Sequence, residues 1–211
     1  MLPANDLIYV CPFCGAEKAL LQLASGNTFG GRQWWDMKTE YPMLPQVSPI
    51  QQCPKCGKYF PISQAESHDS SSWGGGTGEL SYDQAREAWV QLKDRLNQDD
   101  LVELAMICLH TYNDMYQRCM GQEDRPRLVE PTTAEKKYLK EIVEVLVQNL
   151  SVQCELVHAE LLREAGEFER AEEIVNRNGK PTKNPMLIQL YDKLLKEIKN
   201  KDTRVTLIEQ E

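Results

Sequence analysis

The sequence has no long uninterrupted run of apolar residues. A helix that crosses a bilayer needs about 20 predominantly apolar residues, so the sequence predicts no membrane span. Residues 1–6 also lack the basic stretch followed by an apolar stretch that is typical of an export signal. These two absences predict a cytoplasmic protein.

The chain is also poor in positive charge, with 24 lysine and arginine residues against 32 aspartate and glutamate residues and a formal net charge of −8. Residues 1–66 hold five basic and five acidic residues, so the whole negative charge falls on residues 67–211. A surface that binds phosphates needs clustered lysine and arginine. The charge therefore argues against a nucleic-acid partner.

The chain lacks the even set of cysteines that a disulfide framework uses, since its count of seven is odd. Cys108, Cys119 and Cys154 lie among apolar residues of helical periodicity, where cysteine usually acts as a small hydrophobic side chain. His158 follows Cys154 by four residues and shares its helix face, but the sequence shows no third group that would orient such a pair for catalysis. We predict no catalytic residue.

The other four cysteines occur in two copies of the pattern Cys-Pro-x-Cys-Gly, with Cys11 and Cys14 in the first and Cys53 and Cys56 in the second. Two cysteines at this spacing can point both thiolates of a tight turn at one metal ion, and two such turns supply four ligands. The glycine after each pair permits the left-handed backbone that turns amide groups toward the sulfurs. The pattern predicts one four-cysteine metal site.

The ligand type indicates the metal and its role. All-sulfur tetrahedral ligation favours Zn²⁺, and iron is the alternative that the sequence leaves open. Because protein sulfurs fill all four positions, no coordination position remains for water or substrate. The predicted role of the metal is therefore structural.

Short apolar runs alternate with proline and glycine over residues 1–66, which is typical of short β-strands. The expected strands lie over 7–10 and 20–23, around Phe29, Trp34 and Trp35, and over 58–62. A module of this size builds only a weak core, so a metal that joins its two turns is expected to stabilise it. The module resembles a zinc ribbon or a rubredoxin-like fold.

The composition changes after this module. Residues 67–80 are rich in serine and glycine and predict a linker. Apolar residues then recur with the helical period, which predicts a helical domain over 81–203 and leaves 204–211 as a tail.

Capping-box sequences at Ser81, Asp100 and Thr132 predict three helix starts. The third helix is expected to continue to Arg163 and to end at Gly166. A shorter helix over 169–176 and a last helix that begins at 184–185 complete the predicted domain.

Part of the helical sequence resembles a tetratricopeptide repeat, with small, large and turn residues in the order of that family: Ala159, Leu162, Gly166, Phe168 and Ala171. The likeness covers about half of one repeat, and a compact helical bundle fits the sequence equally well. Helix pairs of that family form grooves that hold peptides or partner helices, so the resemblance implies a protein partner or a homo-oligomer. The whole chain, a double cysteine module followed by repeat-like helices, resembles a group of uncharacterised bacterial proteins, which implies architecture more than activity.

The segment between the cysteine pairs is rich in aromatic residues, and Phe29, Trp34, Trp35 and Tyr41 are its candidate interaction residues. Adjacent residues on a strand point to opposite faces, so we expect one of the two tryptophans to be less buried or to be covered by the helical part. These aromatic residues either belong to the core or to a docking surface within the chain, or form a recognition surface for a partner.

We therefore expect an α+β protein in which a small metal-stapled β module precedes an all-α helical domain. The predicted function is that of a non-enzymatic adaptor, whose zinc site is structural and whose helices bind a protein. Three alternatives stay open: a nucleic-acid-binding zinc ribbon, a rubredoxin-like iron electron carrier, and an enzyme with a site between the two modules.

Overall fold

The computed structural model describes residues 2–118, 130–150, 155–178 and 183–208. Within these residues the protein has small antiparallel sheets and six α-helices. The expected α+β fold class is confirmed.

The chain divides into two compact units. Unit 1 comprises residues 1–32 and 39–111, and unit 2 comprises residues 33–38 and 112–211. The sequence-based division into 1–66, 67–80, 81–203 and 204–211 stays a prediction.

The strands are short. In chain order they are β1 (Leu2–Pro3), β2 (Leu7–Val10), β3 (Glu17–Leu20), β4 (Leu23–Ser25), β5 (Arg32–Gln33), β6 (Thr39–Glu40), β7 (Ile50–Gln52), β8 (Tyr59–Pro61) and β9 (Glu66–Asp69). β2 is the centre of an antiparallel sheet with the order β3-β2-β9. β7 and β8 form an antiparallel hairpin in which Gln52 pairs with Tyr59. The two cysteine turns are the connections of the β2–β3 and β7–β8 hairpins.

The first helix of unit 1, α1 (Tyr82–Leu92), begins where the sequence predicts. Ser81 is its N-cap: the Ser81 side chain accepts from the Gln84 amide, and the Gln84 side chain accepts from the Ser81 amide. This capping box satisfies two backbone donors that a helix start otherwise leaves without partners. α1 packs against β8.

The next helix, α2 (Gln98–Tyr116), begins before the predicted cap at Asp100. Asn97 provides the cap, because its Oδ1 accepts from the Asp100 amide at 2.9 Å. The buried carboxylate of Asp100 accepts instead from Ser63 Oγ at 2.8 Å and Gln64 Nε2 at 3.2 Å. The expected role of Asp100 as a cap is thus wrong, since an asparagine at a helix start caps as well as an aspartate.

Residues 67–80 have backbone partners within unit 1. β9 takes in residues 67–69, the Gly75 amide donates to the buried Asp6 carboxylate at 2.7 Å, and the Leu21 amide donates to the Gly76 carbonyl at 3.0 Å. A Cβ at Gly75 would lie only 2.8 Å from the Leu20 backbone. In this predicted linker, glycine permits close backbone approach.

Unit 2 holds the remaining helices, which are α3 (Thr133–Asn149), α4 (Glu155–Glu164), α5 (Phe168–Asn178) and α6 (Pro185–Lys199). α3 begins at the predicted capping box of Thr132. It ends at Asn149, because Leu150 has an extended backbone with φ −72° and ψ 147°. The expectation that this helix continues to Arg163 is therefore wrong, and Arg163 belongs to α4.

The end of α4 at Gly166 agrees with the prediction. Gly166 has a φ of +75°, its amide donates to the Arg163 carbonyl at 2.9 Å, and the Glu167 amide donates to the Leu162 carbonyl at 2.8 Å. This is the Schellman pattern of a helix end. α5 follows and packs against α4, while the tetratricopeptide-like arrangement of these helices stays a prediction. The predicted stop of α5 at Gly179 lies outside the described residues.

Unit 2 also contains a short segment that we name the strap (residues 202–208), most of which the sequence assigned to a tail. The strap pairs with the segment 33–38: the Trp35 amide donates to the Thr206 carbonyl at 3.2 Å, and the Ile208 amide donates to the Gln33 carbonyl at 2.8 Å. The Val205 amide donates to the Gln117 carbonyl at 3.1 Å. The strap thereby joins parts of the chain that are far apart in sequence.

The aromatic residues between the cysteine pairs differ in burial. Trp34 and Trp35 are only 1% and 8% exposed, whereas Phe29 is 81% exposed and Tyr41 is partly buried. The guanidinium of Arg118 lies 4.5 Å from the Trp34 ring centroid, and Lys193 Nζ lies 5.3 Å from that of Trp35. Both tryptophans are thus buried within unit 2, where residues of the helical part lie over their rings, which is one of the two alternatives that the sequence left open. The role of these aromatic residues as an interaction surface stays a prediction.

Among the helices of the described ranges, none combines the length and the apolar character that a bilayer span requires.

Candidate metal centre

The structure brings the four predicted metal ligands together. The Sγ atoms of Cys11, Cys14, Cys53 and Cys56 all lie within 4.8 Å of one another. The Cys11 and Cys56 sulfurs are 3.8 Å apart, and the Cys14 and Cys53 sulfurs are 3.6 Å apart. Four cysteines near one another in this way could hold one metal ion.

The two turns have the same backbone geometry. In the first, the Cys11 amide donates to the Ala16 carbonyl at 2.8 Å and the Gly15 amide donates to the Cys11 carbonyl at 3.0 Å. In the second, the Cys53 amide donates to the Lys58 carbonyl at 2.9 Å and the Gly57 amide donates to the Cys53 carbonyl at 3.0 Å.

The glycine of each turn has a left-handed backbone, with a φ of +68° at Gly15 and +70° at Gly57. A Cβ at either glycine would meet no atom within 4 Å. The requirement for glycine is therefore one of backbone conformation and not of space.

The second turn directs backbone donors at a sulfur. The amides of Lys55 and Cys56 both lie 3.4 Å from Cys53 Sγ. Burial raises the pKa of the Cys53 thiol, but these amide donors, with the neighbouring thiols, outweigh burial and lower the pKa to about 6. The amide donors thus favour the thiolate form of Cys53, which is the form that binds metals.

Cys14 differs from Cys53. The Ala16 amide lowers the pKa of the Cys14 thiol, but desolvation and hydrogen bonds to the other thiols raise it more, to about 11. Cys11 and Cys53 are buried, while Cys14 and Cys56 are exposed. Each turn therefore contributes one inner and one outer sulfur.

The geometry fits a tetrahedral thiolate site better than disulfides. A zinc–sulfur bond is about 2.3 Å long, so the edge of a regular tetrahedron of sulfurs around zinc is about 3.8 Å. The short sulfur–sulfur distances of 3.6 and 3.8 Å match this edge. A disulfide would need about 2.05 Å, and all four cysteines are free thiols.

Lysine side chains lie beside both turns. The Lys18 ammonium donates to the Gln52 carbonyl at 3.2 Å; burial lowers the pKa of Lys18, and attraction to Cys53 opposes that effect. Lys58 Nζ lies 4.8 Å from the ring centroid of Phe13. Four thiolates around a divalent cation have a net charge of about −2, so a nearby ammonium group favours the ionised cluster.

An open cavity of about 420 Å³ borders the first turn. It is lined by both cysteines of that turn with apolar and polar neighbours: Val10, Cys11, Pro12, Phe13, Cys14, Gly15, Gln64 and Glu66.

Among the described residues, Cys108 is a thiol separate from this cluster. Cys108 is buried, and its thiol lies 3.5 Å from the Ala85 carbonyl, as the prediction of a small core side chain implies. Cys119 and Cys154 lie outside the described residues, so the pairing of Cys154 with His158 stays untested. His158 itself is buried, and desolvation lowers its pKa.

Sequence reasoning missed two polar features. The side chain of Gln52 links the second cysteine turn to α1, and a glutamine before a cysteine gives no sequence signal. In unit 2, Arg118 binds both carboxylate oxygens of buried Asp36, at 3.2 and 2.6 Å. This partnership spans 82 residues, and no local pattern predicts it.

No family model matches the chain, and neither a curated protein nor a solved structure matches it. The resemblances drawn from the cysteine and helix motifs therefore remain expectations.

Proposed function

We propose that this protein is a non-enzymatic zinc protein in which Zn²⁺ bound by Cys11, Cys14, Cys53 and Cys56 stabilises unit 1. The observation that carries the proposal is the convergence of four sulfurs from two turns of the same geometry. A site with four protein sulfurs leaves no position for a substrate, and this supports a structural role for the metal.

Metal analysis tests the proposal. Protein purified with a reductant should contain about one zinc per chain, since four thiolates complete one tetrahedral site. Cys11→Ser should abolish stoichiometric metal. Cys108→Ser is the matched control, because Cys108 is also buried but lies outside the cluster, and it should keep the metal. Metal-free wild-type protein that resists thermal unfolding as well as zinc-loaded protein would contradict the structural role.

A rubredoxin-like iron site is the second candidate, and the exposure of Cys14 and Cys56 favours it. Outer sulfurs at the surface give an electron-transfer partner close access to a metal. Iron in place of zinc, with the visible absorption of an iron–thiolate site in purified protein, would favour this function over the first.

We further propose that the helical part of the chain binds a protein partner or a second copy of this chain. Apolar side chains exposed at the start of α6, Leu187 and Ile188, support this role because such exposure is typical of interaction surfaces when it is contiguous. Sedimentation analysis of purified protein over a range of concentrations tests the homo-oligomer. Replacement of Leu187 and Ile188 by serine should then shift the population toward monomer.

A further inference from the structure

The side chain of Gln52 closes the second cysteine turn. Gln52 immediately precedes Cys53, and its Nε2 donates to the Gly57 carbonyl at 3.2 Å. The Gly57 amide in turn donates to the Cys53 carbonyl at 3.0 Å. Gln52 thus holds the same glycine whose left-handed backbone shapes the turn.

The same side chain contacts the cap of α1. Gln84 Nε2 donates to Gln52 Oε1 at 3.0 Å, while Gln84 Oε1 accepts from the Ser81 amide at 2.9 Å. Gln84 is the residue that completes the capping box of α1. A single amide group therefore connects the turn to the start of the helix.

A second connection runs one helical turn further along. Gln52 Nε2 also donates to Tyr59 Oη at 3.0 Å, and the Tyr59 hydroxyl donates to Glu87 Oε2 at 2.9 Å. Tyr59 is almost fully buried, so the loss of Gln52 would remove one of the two hydrogen bonds of its hydroxyl at a site with little access to water. The Gln52 side chain thus reaches α1 at both Gln84 and Glu87.

The first cysteine turn has no equivalent of this connection through the preceding residue. Val10 stands before Cys11 as Gln52 stands before Cys53, and a valine side chain forms no hydrogen bonds. The two turns share one backbone geometry but differ in this contact. The first turn therefore shows that this backbone geometry forms without a hydrogen-bonding side chain before the first cysteine.

We propose that Gln52 is a positioning residue that couples metal binding at the second cysteine turn to the N-terminal cap of α1, so that metal occupancy regulates the stability of this helix. The inference rests on the proposed function, since it requires a metal at the four cysteines. Metal bound by Cys53 and Cys56 fixes the conformation of the turn. The fixed turn holds the Gln52 side chain in place, and Gln52 in turn orients Gln84 in the cap. Coupling of this kind is reciprocal. If bound metal raises the equilibrium constant for cap formation by some factor, the formed cap raises the metal affinity by the same factor.

Two substitutions test the coupling without touching a sulfur ligand. Gln52→Val gives the second turn the residue that the first turn has, and Gln84→Ala removes the link from the helix side. Mutation of a residue that orients metal ligands typically lowers metal affinity by about 10–100-fold. Each variant should therefore bind Zn²⁺ about tenfold more weakly than wild type, as measured by competition with a chelator. Thr132→Ala is the matched control, because it removes an N-cap hydroxyl of α3 in unit 2, and it should leave zinc affinity unchanged.

Hydrogen exchange supplies a readout that does not depend on affinity. In the full wild-type chain, removal of Zn²⁺ should increase the exchange of amides at 84–88 in α1. In Gln52→Val these amides should exchange faster even with saturating Zn²⁺, and zinc removal should change them less. Amides of α3 should respond in neither protein.

The outcomes separate the coupling from the metal site itself. Wild-type protein that takes up no Zn²⁺ would overturn the structural zinc site and this inference with it. Wild-type protein that binds Zn²⁺, with both glutamine variants of equal affinity and with α1 exchange independent of the metal, would overturn the coupling alone. Weaker zinc binding in both variants together with zinc-dependent protection of α1 would establish it.

Discussion

Arg118 and Asp36 form a two-point ion pair in which both side chains are almost completely buried and two guanidinium nitrogens donate to the two carboxylate oxygens, at 3.2 and 2.6 Å. The pair attaches the segment 33–38 to the end of α2 within unit 2. The ion pair thus helps to hold this short segment in unit 2, although the residues before and after it in the sequence belong to unit 1.

Removal of one partner should be strongly destabilising. Arg118→Met leaves the Asp36 carboxylate buried without its cation, and we expect a loss of about 3–5 kcal/mol in the free energy of unfolding. The double variant Asp36→Asn with Arg118→Met should lose less, because it leaves no buried charge. Denaturant unfolding measures both.

An exposed ion pair supplies the control for this prediction. Arg170 binds Glu144 at 2.9 Å with both side chains nearly half exposed. Arg170→Met should therefore cost no more than about 1 kcal/mol. Equal costs at Arg118 and Arg170 would show that burial does not strengthen the Asp36 pair.

The features that the sequence predicted correctly are local ones. The ligand spacing, the glycine after each cysteine pair and the capping boxes at Ser81 and Thr132 are all set by residues within five positions of one another. At this range backbone geometry alone determines which atoms meet, and a sequence pattern describes it fully.

The features that the sequence did not predict depend on distant partners. Trp34 and Trp35 directly follow β5 and are buried in unit 2, where Arg118, Lys193 and the strap cover them. The strap itself has the composition of an ordinary polar tail. Its order comes from backbone pairing with residues more than 80 positions away, which no periodicity within the strap can indicate.

Val205 is the anchor of the strap, since it is completely buried and its amide donates to the Gln117 carbonyl. The buried guanidinium of Arg163 also donates to the carbonyls of Asp202 and Arg204, which lie on either side of Thr203 in the strap. Val205→Asp would bury an unpaired carboxylate, which is unfavourable, so the strap should detach. Amide exchange at 205–208 and at Trp35 should then become fast.

Arg204→Ala is the control for the strap, because the Arg204 side chain is exposed and its backbone contacts would persist. It should leave exchange at 205–208 unchanged. Slow exchange of these amides in Val205→Asp would contradict the role of Val205 as an anchor.

Glu164 should make unit 2 less stable as the pH rises. Complete burial, with Glu160 and Asp36 nearby, raises the pKa of its carboxyl well above 4.5, while Arg163 and Asn113 oppose this effect only in part. The folded state then holds a proton that the unfolded state has released, so stability falls with pH from about 4.5 up to the raised pKa. Desolvation also raises the pKa of Glu197, which acts in the same direction.

Glu164→Gln isolates this contribution. Glutamine keeps the shape and an acceptor for the Asn113 amide, which lies 3.0 Å from Glu164 Oε2, but it has no proton to lose. The variant should be more stable than wild type at neutral pH and should show a smaller decrease between acid and neutral pH. Exchange of α4 amides measured across this range follows unit 2 specifically, and identical pH profiles for both proteins would contradict the prediction.

Two helix ends of unit 2 have the same hydrogen-bond pattern but different residues at the left-handed position. Gly166 ends α4 with φ +75°, and Lys201 follows α6 with φ +52°. Around Lys201, the amides of Lys201 and Asp202 donate to the carbonyls of Ile198 and Glu197 at 2.9 and 3.0 Å. The pattern is thus a Schellman motif in both places.

Opposite substitutions should therefore have opposite effects. A left-handed residue other than glycine costs about 1–2 kcal/mol, so Gly166→Ala should lower the free energy of unfolding by about 1 kcal/mol. Lys201→Gly should raise it by about 0.5 kcal/mol, because relief of this strain exceeds the entropy cost of glycine. A Cβ at Gly166 would meet only Phe168, at 4.0 Å, so a larger loss in Gly166→Ala would indicate a cause other than backbone conformation.

Zinc binding should release protons from the cluster. The pKa of Cys53 is lowered to about 6 and that of Cys14 is raised to about 11, so the cluster holds at least one thiol proton at neutral pH that must leave before all four sulfurs bind metal. Zinc affinity should therefore rise at least about tenfold per pH unit between about pH 7 and pH 9. Calorimetry in buffers of different ionisation enthalpy counts the protons released. Cys14→Ser and Cys53→Ser should each bind zinc more weakly, because each variant keeps only three sulfur ligands. Zinc binding without proton release at neutral pH would contradict a cluster that holds thiol protons before the metal binds.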